Sequence, residues 1–301
     1  MRVMATAKFP KPGIAIRHLL IATDLSHQSD AAVGYGMGLA RILGAQAEIA
    51  YVLPMEEYAM AGPEGLTIGR DAARRDLLEL RSRLRRATDY DDDSVCKMTL
   101  LEGPVAECLL QCARERRTDL VIVGTHGRGG LGKVFLGSVA QHVFRHSPVP
   151  VLTVGPNVHC PAKMVNIRHI LAPCDLSPRA HEAVHYACML AKQHGLQVTV
   201  LHVLEGKEEE SKVDPQKVTQ GICEKLKEIV GGDGREMDIR YEVTSGRIAA
   251  RILDAAEELR ADLIVLGVRR SAGALDRFMW PVAYELVREA SCPVLTIRGK
   301  S

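Results

Sequence analysis

The chain has 301 residues, 39 Lys plus Arg against 37 Asp plus Glu, and a formal net charge of +2. That length allows two compact domains, each burying its own core, and the near-neutral balance gives no electrostatic reason to expect nucleic acid as a main partner. No apolar run reaches signal-peptide or membrane-span length, and the eight cysteines include no CxxC pair, so reduced, mostly buried thiols in a cytoplasm are expected.

Short, branched, apolar segments predict strands over 18–22, 47–53, 95–103, 120–124 and 149–154, of the kind buried on both faces. Between them, apolar residues at helical spacing predict helices over 30–43, 71–86, 105–116 and 138–144. Such alternation builds βαβ units and a parallel sheet with helices on both sides. Residues 155–166 (GPNVHCPAKMVN) hold turn formers without an apolar period and read as a linker. Beyond it the pattern returns, with strands predicted over 169–172, 197–203, 239–244, 263–267 and 294–297.

The second half repeats the first, so the chain is a unit of about 140 residues written twice. The stretch from Asp119 to Ser138 reads DLVIVGTHGRGGLGKVFLGS, and that from Asp262 to Pro281 reads DLIVLGVRRSAGALDRFMWP. They align without a gap, setting Gly124 on Gly267, Gly103 on Gly246 and Pro150 on Pro293. The opening strands, IRHLLIATDLS and IRHILAPCDLS, set Asp24 on Asp175. The expectation is an α/β protein with two tandem open parallel five-stranded sheets, Rossmann-like, with domains at 14–155 and 167–301.

In open parallel sheets, ligands sit beyond the carboxyl ends of the strands, where backbone amides and helix N-termini converge. Three features meet there in the first copy: Asp24 after strand one, Val52 at the end of strand two, and the glycine loop after strand four. Loop glycines let the main chain approach phosphate oxygens closely. Gly137 and Ser138 then open a helix, whose free amides, dipole and hydroxyl suit an anion.

At these residues the chain resembles the universal stress protein family, specifically its tandem-domain members. The family's nucleotide-binding members carry G-x2-G-x9-G-[S/T], and Gly124-Thr125-His126-Gly127, nine residues, then Gly137-Ser138 match it in full. The resemblance runs from about Ile16 to Ile297 and includes the D-x-S ending of strand one in both copies, Asp24/Ser26 and Asp175/Ser177. It implies that Asp24 and Val52 contact adenine or ribose and that Gly124 contacts the ribose. Gly127, Gly137, Ser138 and Val139 would hold the phosphates through main-chain amides and one hydroxyl. The implied cofactor is ATP, with or without Mg²⁺, and the implied role is a stress response acting through nucleotide-dependent conformation or choice of a protein partner. One-domain members of the family pair as dimers, so the two copies are expected to form an intramolecular pseudo-dimer. The final strands, PVLTV and PVLTI, would be the contact edges, since an unpaired apolar edge needs a cover. Further association into a homodimer of tandem chains stays open.

The second copy departs from the motif. Arg270 stands where Gly127 does, Trp280 where Gly137 does, and Pro281 where Ser138 does. A guanidinium would occupy phosphate space, an indole would crowd the helix start, and proline removes an amide donor. One nucleotide per chain is therefore expected, with Arg269 and Arg270 filling the second pocket, although Asp175 and Val203 leave an adenosine-like fragment open. His126, Arg128, Lys133 and Asp24 form no recognisable base-and-nucleophile pair, so no catalytic residue is assigned. A slow Mg²⁺-dependent ATPase, with His126 or Asp24 assisting water or metal, and a nucleotide-independent scaffold stand as the alternatives.

Other motifs carry less. GRGGLGKV at 127–134 nearly makes a Walker A loop, but Val134 replaces its Mg²⁺-binding hydroxyl residue. The same stretch satisfies GxGxxG, yet it follows strand four and lacks the acidic residue that would grip a ribose. HEAVH at 181–185, with Cys188 on nearly the same helical face, matches a metal-binding spacing that reads better as surface coincidence. The arginine-rich stretch 70–86 is interrupted by Asp71, Asp76 and Glu79 and backed by leucines, as in a solvated amphipathic helix. Cys108 and Cys112, one helical turn apart, read as packing residues.

Overall fold

Leu19, Leu20 and Ile21 are each no more than 1% exposed, so the first strand is buried on both faces, which an antiparallel sheet with one wet face would not require. In the computed structural model, which describes residues 16–59, 62–88, 96–125, 136–158, 165–205, 215–231, 237–268 and 279–298, this strand lies inside a helix-covered sheet. The first copy runs β1 (His18–Thr23), α1 (Asp30–Leu43), β2 (Gln46–Leu53), α2 (Met55–Ala59), α3 (Gly62–Thr88), β3 (Cys96–Glu102), α4 (Val105–Glu115), β4 (Leu120–Gly124), α5 (Ser138–His146) and β5 (Val151–Val154). The second runs β6 (His169–Pro173), α6 (Pro178–His194), β7 (Gln197–Leu204), α7 (Pro215–Val230), β8 (Ile239–Ser245), α8 (Ile248–Glu258), β9 (Leu263–Val268), α9 (Met279–Glu289) and β10 (Val294–Arg298).

Among the described residues these strands form a single ten-stranded sheet in the order β3-β2-β1-β4-β5-β10-β9-β6-β7-β8. The two five-stranded units expected from the sequence are both present, and they are continuous. Every pairing is parallel except β5 with β10, which is antiparallel. Leu152 faces Leu295 there, and these two are repeat-equivalent, so the pseudo-twofold axis of the duplication passes between them. Thr296 Oγ1 also donates to Val151 O at 3.2 Å. Each copy thus covers the other's exposed apolar edge, as PVLTV and PVLTI suggested.

The duplication extends to individual backbone devices. Asp119 Oδ2 accepts from the amides of Arg17 and His18 at 2.8 and 3.0 Å, tying the start of β4 to the start of β1. Asp262 Oδ2 does the same for Arg168 and His169, at 2.8 and 3.1 Å. Leu25 and Leu176 adopt φ of 64° and 60°, and Arg117 and Arg260 adopt 51° and 49°. Side chains reach this left-handed region at a cost of about 1–3 kcal/mol, so its presence at matched positions means both copies hold the same strained turns.

Two stretches differ from the sequence reading. The helix expected over 71–86 begins at Gly62, and the short α2 precedes it. GPEGLTIGR has poor helix propensity, but tertiary contacts supply what propensity lacks. A Cβ at Gly69 would lie 2.7 Å from the Tyr58 ring, so this turn of α3 presses on α2. Arg70 meanwhile forks onto both Glu102 oxygens at 2.7 Å. The described part of the expected linker is docked rather than loose. Asn157 Nδ2 donates to the carbonyls of Arg288 and Glu289 at 3.2 and 3.1 Å, satisfying the C-terminal end of α9. Gly155 lies so close to Val287 O that a Cβ would sit 2.3 Å away, and only glycine allows that approach.

Helices of the two copies also meet directly. Phe144 of α5 is 1% exposed and belongs to the same buried apolar cluster as Ile252, Leu266, Leu286 and Val287 of the second copy. Its ring lies 5.7 Å from that of Tyr284 in α9, and Arg145 Nε donates to the Tyr284 hydroxyl at 2.8 Å. No described helix is long and apolar enough to cross a membrane.

Candidate functional site

The chain leaves β1 for β2 and β3 on one side, then returns to β4 on the other, so the strand order reverses between β1 and β4. Loops at such a reversal diverge and open a crevice beyond the strand ends. Asp24 follows β1 immediately, Gly124 ends β4, and Val52 is the penultimate residue of β2. The topology therefore brings all three sequence-predicted positions to the same end of neighbouring strands.

A hydrogen-bonded turn fixes Asp24. Its Oδ1 accepts from the amide and hydroxyl of Ser26 at 3.0 and 2.6 Å, while Thr23 Oγ1 accepts from Leu25 N at 3.0 Å. Thr23 and Ser29 hydroxyls lie 2.9 Å apart, and Ser29 Oγ donates to Ser26 O at 2.9 Å. These bonds hold Leu25 in its left-handed conformation and fix Oδ1 of the half-buried Asp24 carboxylate. Val52 is 3% exposed and shares an apolar cluster with Ala22, Leu101, Leu136 and the half-buried Val139. Its side chain is thus part of the floor rather than a group reaching out of it.

The other side of the crevice is set by α5. Gly137 is its N-cap, with φ −56° and ψ 147°, and no side chain caps the helix. Gly137 N donates to Thr125 O at 2.9 Å, while Gly137 O accepts from Gln141 N at 2.9 Å. The Gly137 amide is therefore engaged in closing the loop that runs from 125 to 137. The amides of the first helical turn, starting at the exposed Ser138 and at Val139, have no intrahelical acceptor. The first turn of α5 carries no acidic residue, and its last turn carries Arg145 and His146. A positive helix end without an acidic residue in its own first turn suits an anion. Gly127, His126, Arg128 and Lys133 lie outside the described residues.

The equivalent site of the second copy lies between β6 and β9, where the order reverses again. A cavity there is lined by Asp175, Leu201, Val203, Ile248, Leu266 and Val282, with Cys174, Gly267 and others around them. Asp175 repeats the turn: its Oδ1 accepts from Ser177 N at 2.9 Å and from the Ser177 hydroxyl. Its other oxygen, however, meets Arg179 Nη2 at 3.5 Å, where the first copy has Gln28. Burial, with the Asp175 charge adding to it, pushes the Cys174 thiol up to about 11. Pro281 is exposed in the first turn of α9, where proline is tolerated but offers no N–H. Arg269, Arg270 and the Trp280 side chain lie outside the described residues.

Sequence reasoning did not single out Arg179, Thr23, Ser29 or Thr125. Arg179 was legible by setting it against Gln28. Thr125 acts through its carbonyl, which no residue type advertises. In the HEAVH segment, His181 Nε2 is 3.1 Å from Leu176 O, and the nearby Cys188 is 4% exposed.

A profile of the Universal stress protein family matches residues 15–155 and 166–298. A universal stress protein of Mycolicibacterium smegmatis is 23% identical over 291 residues, which cover 94% of this chain and 97% of that protein. A Thermus aquaticus universal stress protein is 47% identical over 55 residues, but these span 18% of this chain and 40% of that protein. Among solved structures, a universal stress protein from Archaeoglobus fulgidus DSM 4304 matches with a TM-score of 0.70 at 20% identity, covering 95% of this chain and 97% of the other. That likeness is one of fold.

Proposed function

The chain belongs to the universal stress protein family with its domain in tandem, and from that premise we propose that the first copy binds ATP while the second does not. The observation that carries this reading is the open N-terminus of α5 at the strand-order reversal, uncapped and without acidic residues, beside Asp24. Asp24 and Val52 would receive the adenosine, Gly124 the ribose, and the amides of Ser138 and Val139 with the Ser138 hydroxyl the phosphates. Gly127 joins that set by its motif position, and Gly137 by shaping the loop rather than by its own amide, which Thr125 already holds. Mg²⁺, if bound, would neutralise phosphate charge. The output is a conformation or a choice of partner in a stress response, since Asp24 Oδ1 is engaged by Ser26 and no described group beside it forms a base-and-nucleophile pair.

In the second copy the Asp175 carboxylate is paired with Arg179, and Pro281 lacks the amide that Ser138 offers. The decisive measurement is mass analysis of small molecules released on denaturation, with ATP calorimetry on the wild type and on Gly137→Trp. One nucleotide per chain, lost in the variant while its fold is retained by circular dichroism, supports the reading. Two nucleotides per chain, or none at any ATP concentration below about 1 mM, the range of weak specific binding, overturns it.

A further inference from the structure

The helix that opens at the first copy's phosphate end closes in the second copy's core. From Ser138 to His146, α5 spans roughly 13 Å at 1.5 Å per residue, short enough to move as a rod. Its first end is tied to Thr125 through Gly137. Near its other end, Phe144 is buried among second-copy residues, and Arg145 bonds the Tyr284 hydroxyl at 2.8 Å with its guanidinium 5.6 Å from that ring's centroid. Tyr284 lies two residues beyond Val282, which lines the second-copy cavity with Ile248 and Ile252. First-copy chain also holds the far end of α9, through Asn157 and Gly155.

The pseudo-twofold axis does not repeat this contact. Gln141 stands at the position equivalent to Tyr284, and Arg288, equivalent to Arg145, pairs instead with Glu289 at 2.7 Å. The bonded Arg–Tyr link therefore joins α5 to α9 in one sense only. A packed interior transmits such a displacement because it has no free volume to absorb it.

We propose that α9 is the element by which ligand occupancy at the N-terminus of α5 changes the second-copy cavity, through the Phe144–Arg145–Tyr284 contact. This rests on the nucleotide reading of the first copy. Coupling between two sites is a free energy shared by both, so anything that later fills the second cavity would alter ATP affinity in turn.

The test uses the full chain, with ATP as the probe and amide hydrogen exchange of 279–289 as the readout, alongside calorimetry. ATP is expected to slow exchange across α9 by about fivefold, the low end of ordinary coupling. In Tyr284→Phe, which loses only the hydroxyl, ATP still binds and the slowing falls below about twofold, with Arg145→Gln giving the same result should Tyr284→Phe fold poorly. ATP binding by calorimetry with unchanged exchange in α9, or variants that respond as the wild type does, overturns the coupling while leaving the nucleotide reading intact. Absence of ATP binding overturns both, and the calorimetry distinguishes the two cases.

Discussion

Replacing Phe144 with alanine tests whether the two copies share a core. The side chain is 1% exposed and sits in a cluster whose other buried members all belong to the second copy. Truncating a buried phenylalanine removes its transfer free energy and leaves a cavity, together about 3–5 kcal/mol. The ring contact with Tyr284, at 5.7 Å, lies inside that figure rather than adding to it. For cooperative units of 150–250 residues each kcal/mol lowers Tm by about 2–4 °C, so a fall of about 6–20 °C is expected by scanning calorimetry. Location matters as much as size. Amide exchange should show lost protection in α8, α9 and β9, although the altered residue is in the first copy. A loss below about 1 kcal/mol, or second-copy amides protected as in the wild type, would refute the shared core.

Gly267→Ala should destabilise by about 1–3 kcal/mol in urea titration, because its Cβ would stand 2.6 Å from the main-chain oxygen of Arg179 and α6 would have to shift; an unchanged midpoint sinks this. Burial pushes the Cys292 thiol up to about 12 and Cys174 up to about 11, so both should resist iodoacetamide at pH 8 and react after denaturation, with native labelling at free-cysteine rates as the contrary result. The Arg70 hydrogen bonds hold the Glu102 carboxyl below its usual range. A carboxyl lowered on folding stabilises above its unfolded value of about 4.3 and loses that contribution as pH falls through the folded value. Glu102→Gln should therefore flatten the acid limb of the stability profile slightly, since the pair is a third or more exposed. A steeper acid limb in the variant would contradict the sign.

The strands and their order of use were legible because a strand buried on both faces admits few residue types, as HLLIAT and LIVLGV illustrate. The β5–β10 junction was legible from two matching apolar edges. What escaped notice depends on tertiary support. The helix from Gly62 is supported by Tyr58, which packs from a separate short helix, and by Glu102, which lies far along the sequence, and neither enters the local pattern that periodicity measures. Docking of 155–158 on α9 escaped for the same reason: glycine and asparagine read as turn formers, while here one permits close approach and the other caps a helix end. The role of Gly137 was half legible, since its place at the head of α5 follows from the motif, whereas the bond to Thr125 is a main-chain event.

The second copy separates what the motif residues do for the backbone from what they do for a ligand. Asp175 and Ser177 reproduce the turn of Asp24 and Ser26 down to the left-handed Leu176, in a copy without the phosphate motif. Gly267 keeps its glycine because the Arg179 carbonyl fills the space where a Cβ would be. The D-x-S turn and the strand-four glycine therefore have sufficient structural causes in this fold, and their retention in the first copy carries little weight for nucleotide. The weight falls on positions where the copies diverge: Gly137 against Trp280, Ser138 against Pro281, and Gln28 against Arg179. An exchange at just those positions combines Trp280→Gly, Pro281→Ser and Arg179→Gln, and keeps the Asp175–Ser177 turn residues themselves. If the divergence is what excludes ligand, that triple variant should gain measurable affinity for adenine nucleotide in the second copy, and a variant that folds yet gains none would place the barrier in the residues between Val268 and Met279.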